Sequence, residues 1–377
     1  MGVGWDEVRA RRLARSFLSD RASGEQLVEV VSAVCGVQAQ LQTAAGLQLG
    51  ARVDGVTQAD IREAVWERRA LVKAWTIRGT LHLHPARELA LWHAARRAAS
   101  GSAPPGLPAW RDPERVLHPA LDADEVETVR AAVWEVLDGR CLTRGELTEA
   151  VVRRVGAAPR ARLRSGFAFF HSDLCQGPPQ GSRITLVRPD QWIEDRQSVD
   201  PREGLREVCR RFLRAYGPAR PADFIAWFGA AAFRVAEARA LFEGLGTEEI
   251  DVDGRRSFVL SGDTSFPVPT RQVRLLSEYD VYVMGFRERD QLIPEPVREL
   301  IASHRRGRYE GPAATRLVLV DGIAAGLWER EKRGRRIELQ VRLTGRLGKA
   351  ARAELRHEAE RIGAFLELEP VLSDSLS

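Results

Sequence analysis

The stretch LVKAWTIRGTLHLHP, residues Leu71–Pro85, decides the fold. Its apolar residues alternate with polar ones on both sides of Gly79, and this pattern predicts two short strands joined by a tight turn. Three helices are predicted before this hairpin, at residues 6–18, from the Ser23/Gln26 capping box to Gly36, and at 57–69. The order of three helices and a hairpin is typical of a winged-helix unit.

The same order of elements recurs twice along the chain. After a linker at 100–110, helices are predicted at 124–137, behind the Thr143/Glu146 capping box, and within RARLRSGFAFFHSDLC; a turn and a strand follow in PPQGSRITLVRPDQW. From Pro201, three more helices lead to a hairpin that turns at Asp253-Gly254. We therefore predict three related units, at 1–100, 111–197 and 201–265.

The remaining residues, 271–377, have a different pattern. Three segments alternate in period two, VRLLSEYDVYVMGFRER, TRLVLVDGIAAGLWERE and RRIELQVRLTG, with a turn at Asp321-Gly322. They predict a small β-barrel or curled sheet, closed by the helix KAARAELRHEAERIGAFLEL. The predicted fold class is α+β, with three tandem winged-helix units and a C-terminal barrel.

Composition narrows the function classes. The 377 residues carry a net charge of +5 with a pI of about 9.3, which is compatible with a polyanionic partner. All but three of the 57 basic residues are arginine, whose planar fork suits phosphates, although biased codon usage gives the same composition. No apolar run is long enough to span a membrane, and the N-terminus lacks the apolar core of a secretory signal, so we expect a cytoplasmic protein.

The cysteines and other candidate ligands do not predict a metal or cofactor. The four cysteines are far apart and form no C-x-x-C pair, so we expect reduced thiols in the core and no metal site. The glycines of GPPQG, residues 177–181, lack the G-K-[ST] of a phosphate loop, which argues against a nucleotide site. Asp280 alone is weak evidence for a catalytic carboxylate.

The stretch GVQAQLQTAAG, residues 36–46, sets uncharged amides at alternate positions. Side chains two residues apart share a face only on an extended chain, so Gln38, Gln40 and Gln42 would line one surface there. Val37, Ala39 and Leu41 would then pack inward. From the residues alone, glutamines after a helix end are more simply explained as partners for loose backbone groups than as catalytic groups.

Five segments in order resemble one known family: CGVQAQ, AWTIRGTLHLHP, CQGPPQG…TLVRPDQW, YDVYVMGFRERD and LVLVDGIAAGLWER. The chain resembles the bacterial HTH_42 winged-helix DNA glycosylases, the AlkZ and YcaQ proteins. This resemblance implies a C-shaped monomer around DNA. It also implies a monofunctional glycosylase that removes bulky N7- or N3-alkylated purines, interstrand crosslinks among them, in DNA repair or self-resistance to genotoxins.

In that family the catalytic motif is Gln-Φ-Asp or Gln-Φ-Gln, where Φ is apolar. It maps onto Gln38-Ala39-Gln40, with a central residue smaller than usual and a second Gln where AlkZ proteins have Asp. The catalytic residues implied are Gln38 and Gln40. Their carbonyl oxygens would fix a water and face the sugar cation as the alkylated base leaves, without transferring protons themselves.

We interpret His82 and His84, with Lys73, Arg78 and Thr80, as residues that border DNA near the glutamines, although the two histidines are equally explained as a satisfied polar face of the strand. A histidine metal pair lacks a third ligand. Arg78, at the hairpin tip, would contact a phosphate or enter the minor groove, and a solvated surface arginine is the alternative. Two arginine runs are candidate phosphate contacts, although charge runs are commonly solvated surface: Arg160, Arg162 and Arg164, and Arg305, Arg306 and Arg308.

Two other function classes remain open at this point. One is a non-catalytic winged-helix DNA-binding regulator, although the chain has no obvious dimer helix and its three units already lie on one chain. The other is an amide-lined pocket for a small molecule. Release of a base from alkylated double-stranded DNA would separate the enzyme from both. We expect duplex DNA as the partner, no membrane, no cofactor and a monomer.

Overall fold

A computed structural model describes residues 2–99, 106–112, 114–164, 173–194, 197–229, 233–304 and 311–376. The α-helices in these ranges are α1 Trp5–Arg15, α2 Leu27–Ala33, α3 Gln42–Gly50, α4 Gln58–Trp66, α5 Leu89–Ala99, α6 Ala123–Val136, α7 Arg144–Val155, α8 Arg160–Arg164, α9 Pro189–Trp192, α10 Pro201–Tyr216, α11 Pro221–Phe228, α12 Val235–Gly244, α13 Val281–Met284, α14 Glu295–Ser303 and α15 Lys349–Leu366.

The strands alternate with these helices in a mixed α+β arrangement. They are β1 Gly2–Val3, β2 Val37–Gln38, β3 Leu71–Trp75, β4 Leu81–Pro85, β5 Trp110–Arg111, β6 Leu117–His118, β7 Leu142–Thr143, β8 Cys175–Gln180, β9 Arg183–Val187, β10 Thr247–Val252, β11 Arg255–Leu260, β12 Val273–Leu276, β13 Leu317–Val320, β14 Ile323–Arg333, β15 Arg336–Leu343 and β16 Glu369–Leu376.

The hairpin predicted at Leu71–Pro85 is confirmed as β3 and β4. It lies inside a six-stranded sheet of order β2-β4-β3-β8-β9-β7. Ala74 of β3 pairs with Cys175 of β8, so the hairpins of the first two predicted units share one sheet. The short strand β2, which carries Gln38, pairs antiparallel with β4 at one edge.

The third hairpin, β10–β11, is also confirmed, with its turn at Asp253-Gly254. The N-terminus of the chain joins it, because β1 pairs with β10 in parallel. Helix α1 lies against the same region: Arg11 forms an ion pair with Asp263, and the Arg12 guanidinium donates to the Pro218 carbonyl. The first residues of the predicted unit 1–100 are thus attached to the third unit.

Helix starts follow their local capping sequences. The predicted Thr143/Glu146 capping box is formed, and Thr57 and Asp60 form another at the start of the helix predicted at 57–69. In each, the threonine hydroxyl accepts from the backbone N–H three residues on. The Ser23/Gln26 box is formed too, although it opens a short 3-10 turn that leads into α2.

The C-terminal sheet has the order β12-β13-β14-β15-β16 and forms a half-barrel. Of the predicted small barrel or curled sheet, the curled sheet is the form observed, because β12 and β16 do not pair in the described part of the chain. Helix α15 packs against both edge strands instead, with Leu355, Ile362 and Phe365 in the same apolar core as the sheet. Strand β16, parallel to β15, was not predicted.

Part of the predicted strand pattern in this region is also wrong. Only Val273–Leu276 of VRLLSEYDVYVMGFRER forms a strand, and Val281–Met284 is a helical turn. The Asp280 carboxylate caps that turn by accepting from the Tyr282 N–H at 2.9 Å. A local capping bond therefore prevails over the alternating sequence pattern.

Some predictions fall partly outside the described residues. Of the predicted third helix of the second unit, only Arg160–Arg164 is described as helix, and 165–172 lie outside the described ranges, as do 100–105 of the linker. Each of the three units has helices and a hairpin, while the more specific winged-helix description stays a prediction. None of the described helices is long and apolar enough to cross a membrane.

Candidate active site at the glutamine stretch

A sharp turn after α2 directs the chain so that the glutamine stretch pairs with the first hairpin. Cys35 and Gly36 both have positive φ, 64° and 87°. A Cβ on Gly36 would lie 2.2 Å from Cε1 of the His84 ring, so glycine is required there by contact as well as by conformation. The chain then enters β2, where Gln38 lies opposite His82 of β4.

Gln38 is buried, with 6% of its surface exposed. Its side-chain Oε1 accepts a hydrogen bond from Nη2 of Arg78 at 3.0 Å. Its backbone oxygen accepts from Nε2 of Gln48 at 3.3 Å. The amide and the peptide of this residue are therefore both held by other side chains.

Gln40 is exposed, and its Oε1 accepts from the backbone N–H of Leu81 at 3.1 Å. The intervening Ala39 is fully buried, and its N–H donates to the Leu81 carbonyl at 2.7 Å. The Gln38-Ala39-Gln40 motif is thus attached to β4 by backbone and side-chain bonds. The small central residue leaves little bulk between the two amides.

The extended conformation does not continue to Gln42. Gln42 is the first residue of α3, and its Oε1 accepts from Nζ of Lys73 at 3.1 Å. Val37 and Ala39 are buried as predicted, but the prediction for Leu41 is wrong, since 39% of its surface is exposed. The reason is that the strand ends before Leu41, which is the N-cap residue of α3.

Arg78 lies at the tip of the β3–β4 hairpin with φ 55°. Its Nη1 donates to the carbonyl of Trp227 at 2.7 Å, in addition to the bond from Nη2 to Gln38. Gly229, just after α11, packs so closely that a Cβ there would lie 2.6 Å from the Cα of Arg78. Burial lowers the pKa of Arg78 to about 10, so the guanidinium stays charged at neutral pH.

His82 and His84 are buried and neutral. Burial and the nearby Arg78 lower the pKa of His82 to about 3, and burial lowers that of His84 well below its usual value. Nδ1 of His82 lies 3.0 Å from the Thr80 carbonyl, which can only accept, so Nδ1 carries the hydrogen and Nε2 is an acceptor. Nε2 of His84 lies 2.8 Å from the Thr76 hydroxyl.

A small cavity, about one water molecule in size, lies beside Gln38. Gln38, Arg78 and His82 line it from the first unit, and Tyr216 and Trp227 line it from α10 and α11. None of the described residues that line it is Asp or Glu. The described lining of this cavity therefore offers neutral acceptors and one guanidinium, and no carboxylate.

Sequence reasoning missed the buried network behind this motif. Arg52 and Asp280 are fully buried and form a bidentate pair at 2.9 and 2.6 Å. Gln48, also fully buried, accepts from the N–H of Val281 and donates to the backbone oxygen of Gln38. The sequence signal for it was a pair of polar residues four positions apart, Gln48 near the end of the apolar helix α3 and Arg52 just beyond it.

Lys73 is buried, with 6% of its surface exposed, and burial lowers its pKa to about 8. The Thr80 hydroxyl donates to the carbonyl of Ile77 within the hairpin tip. Lys73 thus lies at Gln42, and Thr80 precedes Leu81, whose N–H donates to Gln40, while the contact of both residues with DNA stays a prediction.

The arginine runs lie elsewhere. Arg160 and Arg164 both pair with Glu149, and Arg162 donates to the carbonyls of Pro108 and Pro119. Arg305, Arg306 and Arg308 lie outside the described residues. Among the described residues no three His, Cys, Asp or Glu side chains come together as a metal site.

Comparison with known proteins gives one consistent result. The family model described as DNA glycosylase AlkZ-like matches residues 31–365. The interstrand DNA cross-link repair glycosylase of Streptomyces sahachiroi is 30% identical over 343 residues, which cover 87% of this chain and 88% of that protein. The structure of the Streptomyces sahachiroi DNA glycosylase AlkZ superposes with a TM-score of 0.80 at 26% identity, over 100% of both chains.

Proposed function

The chain belongs to the AlkZ-like DNA glycosylase family, enzymes that hydrolyse N-glycosyl bonds, and we propose that its substrates are purines made cationic by a bulky alkyl group at N7 or N3. The observation that carries this proposal is the absence of Asp and Glu from the described residues that line the cavity at Gln38. The neutral pair Gln38 and Gln40 stands at the motif position instead.

A site without an acid limits the choice of leaving group. An unmodified purine leaves readily only when a general acid protonates it, and neither an amide nor a neutral histidine with a pKa of about 3 is such an acid. Alkylation at N7 or N3 gives the base its positive charge beforehand. The remaining task is to stabilise the sugar as it becomes oxocarbenium-like and to supply water.

The two glutamines can do both by position and polarity. The carbonyl oxygen of Gln38 has two lone pairs, and Arg78 uses one of them. We propose that the second accepts from the attacking water, and that Nε2 of His82 accepts its other hydrogen. Gln40, exposed beside Leu81, would direct its carbonyl dipole at the sugar. Such preorganised dipoles lower the barrier without acting as a base, and the proton that the water loses once it has bonded to the sugar carbon passes to the solvent.

We propose that crosslinks between strands are among the substrates. A relative that matches over 87% of this chain is named as an interstrand DNA cross-link repair glycosylase. A crosslink attached through N7 carries the same cationic leaving group as a single adduct. Cleavage of either glycosidic bond would detach the two strands.

The proposed DNA contacts follow from the same assignment. Lys73 and Thr80 lie near the motif, whereas His84 is fully buried behind it and supports the hairpin through Thr76. We propose that the three helix–hairpin units are winged-helix modules on a monomer curved around the duplex. For Arg160 and Arg164, a phosphate contact would require exchange of their bonds to Glu149, which makes Lys73 the stronger candidate. The arginines at 305–308 keep their predicted role on the basis of sequence alone.

The experiment that tests this function is base release from four duplexes of one sequence. They carry an N7-alkylguanine, a bulky N7 adduct, an N7-linked crosslink or a neutral oxidised purine. We expect release from the three alkylated duplexes and none from the fourth. Binding without release from any duplex would favour the DNA-binding regulator, and release of the neutral lesion would contradict the requirement for a cationic base.

A further inference from the structure

We infer that Arg78 is a positioning residue for glycosidic bond cleavage, because its guanidinium sets the orientation of the Gln38 amide. The inference rests on the proposed function in one respect, namely that Gln38 acts on the water or the sugar. It assigns to Arg78 a role inside the protein, in contrast to the phosphate or groove contact expected from the sequence.

The hydrogen bonds of Arg78 join two parts of the molecule at the motif. Nη2 donates to Oε1 of Gln38 at 3.0 Å, and Nη1 donates to the carbonyl of Trp227 in α11 at 2.7 Å. A fork with five fixed donors can bind two such acceptors at once. Both terminal nitrogens are therefore engaged in the protein, which leaves them poorly placed to serve a phosphate.

The backbone around Arg78 is arranged for this contact. A non-glycine residue with φ 55° persists only where its surroundings hold it, and Gly229 packs against the Cα and Cβ of Arg78 from the third unit. The side chain is half-buried beside Gln38, Tyr216 and Trp227 in the same small cavity. The position of the guanidinium is thus fixed from both the hairpin and α11.

The chemistry requires such a fixed donor. An amide that rotates by 180° exchanges its oxygen and nitrogen, and the two have opposite polarity towards a water or a sugar cation. Arginine only donates, so a guanidinium beside Gln38 stabilises the rotamer whose oxygen faces it. The remaining lone pair of that oxygen is then directed at one place before substrate arrives, which is the preorganisation that electrostatic catalysis requires.

The charge of Arg78 indicates that this residue contributes by orienting the Gln38 amide and not by acting on the sugar directly. A cation beside a developing sugar cation is unfavourable by Coulomb's law, so Arg78 gains nothing for catalysis from its charge alone. Its effect on the reaction must pass through Gln38. This dependence separates the inference from a phosphate contact, which would act on DNA affinity whether or not Gln38 is present.

A double-mutant cycle tests the inference. Gln38→Ala, Arg78→Met and the double variant are compared in single-turnover release of N7-alkylguanine at saturating protein, with duplex affinity measured separately. We expect Arg78→Met to slow release at least tenfold with less than a twofold change in affinity. We expect the double variant to be no slower than Gln38→Ala, because residues that act as one unit are not additive.

Two further variants separate positioning from a general loss of structure. Arg78→Lys keeps one donor and should recover part of the rate. Arg96→Met removes another arginine whose guanidinium donates to this hairpin, at the Thr76 carbonyl, and should release base at the wild-type rate. Thermal unfolding of each variant identifies any that fails to fold, and the Arg78→Lys comparison then decides in its place.

Results that would overturn the positioning role of Arg78 differ from the result that would remove the catalytic role of Gln38. A double variant slowed by the product of the two single effects, or an equal loss of affinity in both backgrounds with unchanged rates, would overturn the positioning role and favour a phosphate contact. A wild-type rate for Arg78→Met beside a slow Gln38→Ala would overturn it as well. A wild-type rate for Gln38→Ala would instead remove the proposed catalytic role of the motif itself.

Discussion

At each end of the glutamine stretch an amide oxygen accepts a hydrogen bond from a basic side chain, but the two basic side chains differ in their other contacts. At one end the carbonyl oxygen of Gln38 accepts from the guanidinium of Arg78, and at the other that of Gln42 accepts from the ammonium of Lys73. Lys73 is buried and Arg78 is half-buried. Arg78 has a second acceptor at the Trp227 carbonyl, whereas Lys73 has Gln42 as its one hydrogen-bond acceptor among the described residues.

This difference separates a basic side chain that the protein holds in place from one that keeps donors for a ligand. Both terminal nitrogens of Arg78 donate to acceptors within the protein, so its place is fixed. The ammonium of Lys73 has three donors, and no described carboxylate pairs with it, which is why burial lowers its pKa to about 8. Because Gln42 is the one described acceptor of this lysine, we interpret it as a residue suited to receive a phosphate when DNA binds.

The largest effect, on the free energy of unfolding, is expected at the buried Arg52–Asp280 pair, which joins the Gln38 end of the stretch to the C-terminal region. Asp280→Asn leaves the fully buried Arg52 without a counter-charge, and breaking such a pair costs about 3–5 kcal/mol of unfolding free energy. Urea unfolding measures the loss. Glu63→Gln, which removes the exposed partner of Arg68, is the control and should change nothing measurable. Equal small losses for both variants would show that the anchor is not structural.

A smaller effect, on the affinity for duplex DNA, is expected at the Gln42 end of the stretch. Lys73→Met should weaken duplex binding by about 1 kcal/mol, roughly fivefold, and reduce the salt slope of log K by about one, as removal of one phosphate contact does. The rate at saturating protein should not change. An unaltered affinity and salt slope would remove Lys73 from the DNA-binding surface.

The same lysine gives a pH dependence with a defined sign. In free protein the amine is charged below its pKa of about 8 and neutral above it, and only the charged form attracts a phosphate. Duplex affinity should thus be constant from pH 6 to 7.5 and fall as pH rises above 8. In Lys73→Met this fall should disappear. An identical fall in both proteins would assign it to another group.

The smallest effect is expected in the pH dependence of the rate. Glutamine does not titrate, and His82, with a pKa lowered to about 3, is neutral throughout pH 6–9. The single-turnover rate at saturating protein should therefore be almost flat over this range. A slope of one against pH would indicate a titrating acid or base and contradict catalysis by position and dipole.

Local features of the fold could be predicted from the sequence because short-range physics determines them. The hairpin at Leu71–Pro85 and the turns at Asp253-Gly254 and Asp321-Gly322 follow from alternation and from residues that accept positive φ. The capping boxes at Thr57 and Thr143 follow from side-chain bonds that span three residues. None of these depends on distant parts of the chain.

Features that depend on distant segments were missed. The pairing of β1 with β10 and of β15 with β16 joins segments whose own patterns do not specify a partner. The Gln38–Arg78 bond spans 40 residues and the Arg52–Asp280 pair 228. The periodicity of the sequence indicates which residues are buried, but not which buried polar groups contact one another. The glutamine motif was therefore found by resemblance, and the side chains that hold it were found only in the structure.

The most direct measurement compares three alanine variants of one stretch. Single-turnover release of N7-alkylguanine is measured for Gln38→Ala, Gln40→Ala and Gln42→Ala, with duplex affinity and thermal unfolding as controls. We expect the first two to be slower by roughly ten- to a thousandfold with unchanged affinity, since each removes one preorganised dipole. Gln42→Ala, whose amide faces Lys73, should release base at nearly the wild-type rate. Wild-type rates for both Gln38→Ala and Gln40→Ala would contradict catalysis by these amides and leave them as partners for Arg78 and the Leu81 backbone.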